Sequence, residues 1–153
     1  MAAHAVALDE YRADFSPTLW DADKRIKQMV FSGAHADVGG GYPENGLSQV
    51  TLQWMVDELM SLGLLVDYDR FLSLRPDPAA TAHIPWKDLA YLHHERNFNG
   101  MTGHCSVSLR EKAGPVRPDP DPKETAVPYK PGNVPRDICT DPGRKLCANC
   151  RFS

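Results

Sequence analysis

The 153-residue sequence has no run of basic residues, no apolar stretch of membrane-spanning length and no even spread of cysteines. Its 17 Lys and Arg are scattered among 20 Asp and Glu, giving a net charge of -3. Phosphate backbones are bound by clustered cations, so no nucleic-acid partner is expected. The longest apolar region, Val56 to Val66, is interrupted by Asp57, Glu58, Ser61 and Gly63. A bilayer span needs roughly 20 consecutive apolar residues, so no transmembrane segment is expected. The start, Met-Ala-Ala-His-Ala, lacks a basic n-region and meets Asp9 and Glu10 before any apolar block of signal-peptide length, which predicts a cytoplasmic protein. The four cysteines, Cys105, Cys139, Cys147 and Cys150, are bunched toward the C-terminus, unlike those of a small disulfide scaffold.

What is present is an ordinary globular composition, 42% hydrophobic, in a chain of single-domain length. Eight of the 13 prolines fall between Pro115 and Pro142, where large apolar residues are few. We therefore expect a folded domain over 1–110 and a mostly irregular Pro- and Cys-containing tail over 111–153, poorly packed because proline removes backbone donors. Residues 2–14 are rich in Ala, Leu, Glu and Arg and predict a helix ending near Asp14, with a buried strand through Ala5 to Leu8 as the alternative. Gln28 to Ser32 reads as a strand. From Gly33 to Gly46, five glycines and a proline predict a loop. A helix follows, with Ser48 as N-cap, Leu52, Met55, Val56, Leu59 and Leu62 as its buried stripe, and Gly63 at the end. Residues 64–75 predict a short segment docked on the same core. A short helix is expected around Asp88 to Glu95, turns over Asn97 to Gly103 and a strand over Cys105 to Leu109.

The order strand, glycine-rich loop, helix is the α/β arrangement in which reactive groups collect beyond the carboxyl ends of strands. His35 and Asp37 lie there. An imidazole with an ordinary pKa near 6.5 suits proton transfer at neutral pH, and Asp37 could orient it. The structural alternative has His35 bonded to a backbone carbonyl and Asp37 closing an Asx-turn. Gly39, Gly40 and Gly41 invite a phosphate-cradle reading, but Tyr42-Pro43-Glu44 separates them from the next helix and no Walker Lys follows, so a tight turn is favoured.

Three ordered segments then stand out: Ala7-Leu8-Asp9-Glu10-x-Arg12-x-x-Phe15-x-Pro17-x-Leu19-Trp20; Phe31-x-Gly33-x-His35-x-Asp37-Val38-Gly39-Gly40-Gly41-Tyr42; and Leu47-Ser48-x-x-Thr51-Leu52-x-Trp54-Met55. Together they resemble the α/β-hydrolase family of the catalytic domain of type VI secretion phospholipase effectors, a family with fungal members as well. The resemblance runs from about Ala5 to Phe71. It implies a Ser-His-Asp hydrolase acting on ester bonds, phospholipid in the bacterial effectors, with His35 as the triad base and Gly33, Asp37, Gly39, Gly40 and Gly41 as its motif loop. No cofactor is implied.

The sequence departs from the family in lacking Gly-x-Ser-x-Gly, the nucleophile elbow. Gly103-His104-Cys105-Ser106-Val107 fails at its central and last positions. Because the triad runs Ser, acid, His along an α/β-hydrolase chain, a C-terminal piece would keep the histidine and lose the rest. We therefore expect the C-terminal fragment of an α/β-hydrolase-like domain, inactive alone, acting on an ester or lipid only when completed by its N-terminal part. A strand taken from inside such a sheet would leave an open edge, favouring self-association. Asp9 and Arg12 could support the site, with an Asp9–Arg12 or Glu10–Arg12 ion pair as their structural role. Cys139, Cys147 and Cys150 with His104 or Cys105 fall short of a zinc ribbon, and His93-His94 reads as a solvated surface, so no metal is expected. A non-enzymatic binding module is the alternative function.

Overall fold

The computed structural model describes residues 1–87 and 94–139. The expected helix around 88–95 falls mostly outside these residues, as do His93, Cys147 and Cys150. The element order is β1 (Ala2–Ala7), a 3-10 turn (Ala13–Phe15), β2 (Ile26–Phe31), α1 (His35–Gly39), α2 (Gly46–Ser61), α3 (Tyr68–Leu72), β3 (Thr102–Gly103), α4 (Cys105–Lys112), β4 (Pro115–Val116), β5 (Val127–Pro128) and β6 (Asp137–Ile138). β1, β2, β3 and β6 form one parallel sheet in that order, with β1 at its outer edge, and β4 and β5 form a separate antiparallel pair. This is an α/β fold. No helix among the described residues is long and apolar enough to cross a membrane.

Residues 2–7 form a strand, so the expected N-terminal helix is replaced by its alternative. The reason is burial on two faces. Ala7 packs with Met29, Phe31, Val50 and Trp54 on one side, whereas Val6 and Leu8 pack with Val30, Phe98 and Val107 on the other. An Ala-Val-Ala-Leu run suits a parallel strand covered on both faces, and the tertiary gain exceeds the small helix preference of alanine. β1 pairs with β2 in register from Ala2↔Ile26 to Ala7↔Phe31, which brings the segment after Leu8 beside the segment after Phe31.

α2 lies on the first face, but not by the expected stripe. Leu47, Val50, Thr51, Trp54 and Glu58 are its buried residues, whereas Leu52, Leu59 and the following Leu62 are exposed. Apolar residues occur nearly all round this helix, and the side that wins carries Trp54 against Phe31, ring centroids 5.3 Å apart, and Glu58 on Lys27 of β2 at 2.5 Å. Asn45, not Ser48, occupies the N-cap, and Gly63 ends the helix with φ 88°. α3 forms inside the 64–75 segment but buries no residue, and Leu64, Leu65 and Leu72 remain exposed instead of docking on the core.

The expected strand over Cys105 to Leu109 is helix α4. Its alternating Cys-Ser-Val-Ser-Leu sequence mimics a strand, yet the His104 ring accepts the Ser106 N–H and caps a helix that buries Cys105, Ser106, Val107 and Arg110. Residues 113–139 are irregular apart from three two-residue strands. They nevertheless pack on the domain rather than loosely: Val116 is buried, Tyr129, Val134 and Ile138 cover the second core face, and β6 extends the sheet.

Candidate active site

The carboxyl ends of β1 and β2 meet in a loop, residues 33–37, held by three carboxylates. Asp9, just past β1, accepts the Gly33 N–H at 2.6 Å and the Tyr129 hydroxyl at 2.7 Å. Burial pushes the Asp9 carboxyl up, against the lowering effect of those two bonds. Burial and the Asp9 charge also raise the Tyr129 phenol, so it stays a donor. Glu10, buried, accepts the His35 N–H at 3.2 Å and both Nε and Nη2 of Arg12, at 2.9 and 2.7 Å. Although burial pushes Glu10 upward, the Arg12 and His35 donors together hold its carboxyl below its ordinary value. The structural ion pair expected here is therefore Glu10–Arg12, and Asp9 takes a different role.

Asp37 is the third carboxylate. From the third position of α1 it turns back to accept the Ala34 N–H at 2.9 Å, the acidic half of a capping box. Its other contacts come from far along the chain: the His83 N–H at 3.0 Å and the His83 Nδ1 at 2.7 Å. Gly33 is required where Asp37 folds back. Its φ is 106°, and a Cβ there would stand 2.5 Å from the Cβ of Asp37. Gly40 and Gly41, with φ of 89° and 124°, turn the chain out of α1, whereas Gly39 is simply the last residue of that helix. No helix begins at this glycine run, since α2 starts only at Gly46.

His35 is the first residue of α1 and is exposed. Among the described residues neither ring nitrogen has a hydrogen-bond partner. The ring meets Phe15 edge-on, centroids 5.2 Å apart, and Phe15 carries the Arg12 guanidinium 3.8 Å from its centroid. His35 lines a hollow of about 350 Å³ with Phe15, Pro17, Val38 and Arg96. Arg96, buried, fixes its wall by donating to the Ala7 carbonyl at 2.9 Å and to the Phe15 carbonyl.

His83 is the contrasting histidine. It is buried, its ring lies 3.5 Å under Tyr42 at 13°, and its Nε2 faces Glu44 Oε2 at 3.3 Å. An imidazole oriented by a buried carboxylate is the acid–base half of a triad. The motifs point to Asp37 but not to His83, which stands 46 residues away with no spacing to mark it. Around Ser48, Gly46-Leu47-Ser48-Gln49-Val50 departs from Gly-x-Ser-x-Gly only at its last residue. A nucleophile elbow joins a strand to a helix, whereas Ser48 sits in the first turn of α2, donating to the Asn45 carbonyl at 3.0 Å. Ser32 and Cys105 are buried. Among the described residues no group of three His, Cys, Asp or Glu is arranged to hold a metal ion.

No curated protein and no solved structure matches the chain. Residues 1–58, which comprise β1, β2, the carboxylate-held loop and most of α2, match the family model "T6SS, Phospholipase effector Tle1-like, catalytic domain", the family that the three sequence motifs resemble.

Proposed function

We propose that this chain acts in ester hydrolysis on lipid-like substrates, as the histidine-bearing part of a serine-hydrolase site, with His35 as the base. The observation that carries the reading is the presentation of His35. Its backbone is fastened by Glu10 at the carboxyl end of a parallel sheet, while its ring faces an open hollow.

In the reaction, a serine hydroxyl attacks the ester carbonyl as the His35 ring takes its proton. The ring then returns that proton to the departing alkoxide, and the acyl-serine is opened by water in a second round of the same transfers. The serine belongs to a Gly-x-Ser-x-Gly segment not contained in these 153 residues. The chain alone should therefore not turn over a nitrophenyl ester or be labelled by a fluorophosphonate.

The test is a chimera in which residues 1–58 replace the corresponding segment of a full-length phospholipase of this family. We expect hydrolysis of phosphatidylcholine vesicles that falls by about 10⁴-fold or more on His35→Ala, the order of loss for a triad member. A folded chimera indifferent to His35→Ala overturns the assignment. A second reading makes His83 the base, favoured by its 2.7 Å bond to Asp37. Against it stand the burial of the ring, its Tyr42 cover and the Glu44 carboxylate at its outer nitrogen.

A further inference from the structure

Beside the carboxylate-held loop, with Asp9 on its lining, lies a second, partly open hollow of about 210 Å³ that the hydrolase reading does not use. Asp9, His83, Arg110 and Tyr129 supply its polar lining, and Ile84, Trp86, Val116 and Val127 contribute to its apolar walls. It shares no lining residue with the His35 hollow.

Arg110 is the unusual member. It is 1% exposed, yet no carboxylate pairs with it among the described residues. One Nη donates to the carbonyls of Pro78 and Ala80, at 2.8 and 2.7 Å, the Tyr129 ring lies 5.0 Å from its Cζ, and its Nε has no partner. Burial lowers the Arg110 pKa, but a guanidinium remains charged in any protein. A buried cation with an unmet N–H is costly unless an anion meets it. Asp9 lies on the same lining, but its hydrogen bonds go to Tyr129 and Gly33 and it makes no ion pair with Arg110 among the described residues. Lys130 on the lining adds positive charge.

We propose that this cavity binds a small organic carboxylate, its anionic end on Arg110 and its apolar body against Ile84, Trp86 and Val116. Guanidinium and carboxylate match in charge and planar geometry. The volume suits a small occupant: the space far exceeds the ~10–15 Å³ that one water needs and falls short of the ~300–1,000 Å³ of drug-sized sites. Apolar walls with one buried cation disfavour both a free inorganic anion, which leaves the walls uncovered, and a neutral alcohol, which leaves Arg110 unmet.

The site is independent of the hydrolase reading and is tested on the full chain without any activity assay. Hexanoate, hexan-1-ol, hexylamine and inorganic phosphate are titrated calorimetrically. We expect one hexanoate per chain, bound at least about tenfold more tightly than any of the other three. Arg110→Gln should remove that preference. Because Arg110 also holds two carbonyls, Ile84→Trp and Val127→Trp, which fill the space and leave Arg110 in place, give a second measure and should each abolish hexanoate binding. Hexanol or phosphate binding as well as hexanoate, hexanoate binding retained in either folded tryptophan variant, or no hexanoate binding at millimolar concentration overturns the proposal.

Discussion

His35 and His83 lie on either side of one loop and are held in opposite ways. His35 is fastened through its backbone, its N–H on Glu10, and its ring is left to a neighbouring phenyl edge and an open hollow. His83 is fastened through its backbone N–H and its ring, Nδ1 on Asp37 and Nε2 facing Glu44, under the flat face of Tyr42. A histidine that must exchange protons with a substrate needs a fixed origin and an accessible ring, whereas one that ties a distant segment to a buried carboxylate needs a saturated ring. The difference teaches that one loop can leave one histidine ring open and close the other into the fold, with Asp37 on the closed, cohesive side despite its place in the catalytic-looking motif.

The sharpest way to break this contrast is to remove the cohesive partner. Asp37→Ala strips the acceptor from the Ala34 N–H, the His83 N–H and the His83 ring together, and should cost about 3–5 kcal/mol in urea unfolding. In a double-mutant cycle with His83→Ala, a coupling near zero would show that the pair does not hold the segments together, against an expected ~1–3 kcal/mol.

A third histidine supplies the next largest effect. His104, buried at the head of α4, has its pKa pushed down to about 4 by burial, from 6.5. The unfolded state then binds the extra proton between these values, so the contribution of neutral His104 is complete above about pH 6.5 and lost as pH falls toward 4, by up to roughly 3 kcal/mol. Asp9, raised by burial, works in the opposite direction at acid pH, so the measurement is the difference between the wild type and His104→Asn, which retains a capping side chain. The variant should flatten the stability profile in that window, and an identical profile contradicts the assignment.

Gly33→Ala should cost roughly 1–3 kcal/mol, since it combines a left-handed φ with a clash against Asp37. The smallest effect belongs to His35→Ala, within about 0.5 kcal/mol of wild type, because the exposed ring makes no hydrogen bond among the described residues. A large destabilisation there would class His35 with His83.

Much of the His35 side was legible in the sequence because it is local. The apolar run of β2, the glycine turns at Gly33, Gly40 and Gly41 and the helix before Gly63 all depend on neighbours a few residues away, although the expected 33–46 loop holds the short helix α1. The cohesive side was not legible, because its contacts join residues far apart: Asp37 to His83 across 46 positions and Asp9 to Tyr129 across 120. Nothing in the Pro-rich spacing near Tyr129 marks it as the partner of the Asp9 carboxylate. The misread elements failed for packing reasons. Alanine-rich β1 is decided by coverage of both faces, α2 has two apolar sides of which only one meets the sheet, and α4 alternates like a strand while capped like a helix.

The division between the two histidines is tested most directly by measuring phospholipid hydrolysis and urea midpoint together in one chimera. For this experiment, residues 1–139 are placed after the Gly-x-Ser-x-Gly-bearing part of a full-length family member. His35→Ala should abolish hydrolysis with the midpoint unmoved, whereas His83→Asn should lower the midpoint and leave the rate per folded molecule within about tenfold of the parent. The opposite pattern, hydrolysis surviving His35→Ala and vanishing in folded His83→Asn, would contradict the division and make Asp37–His83 the catalytic pair.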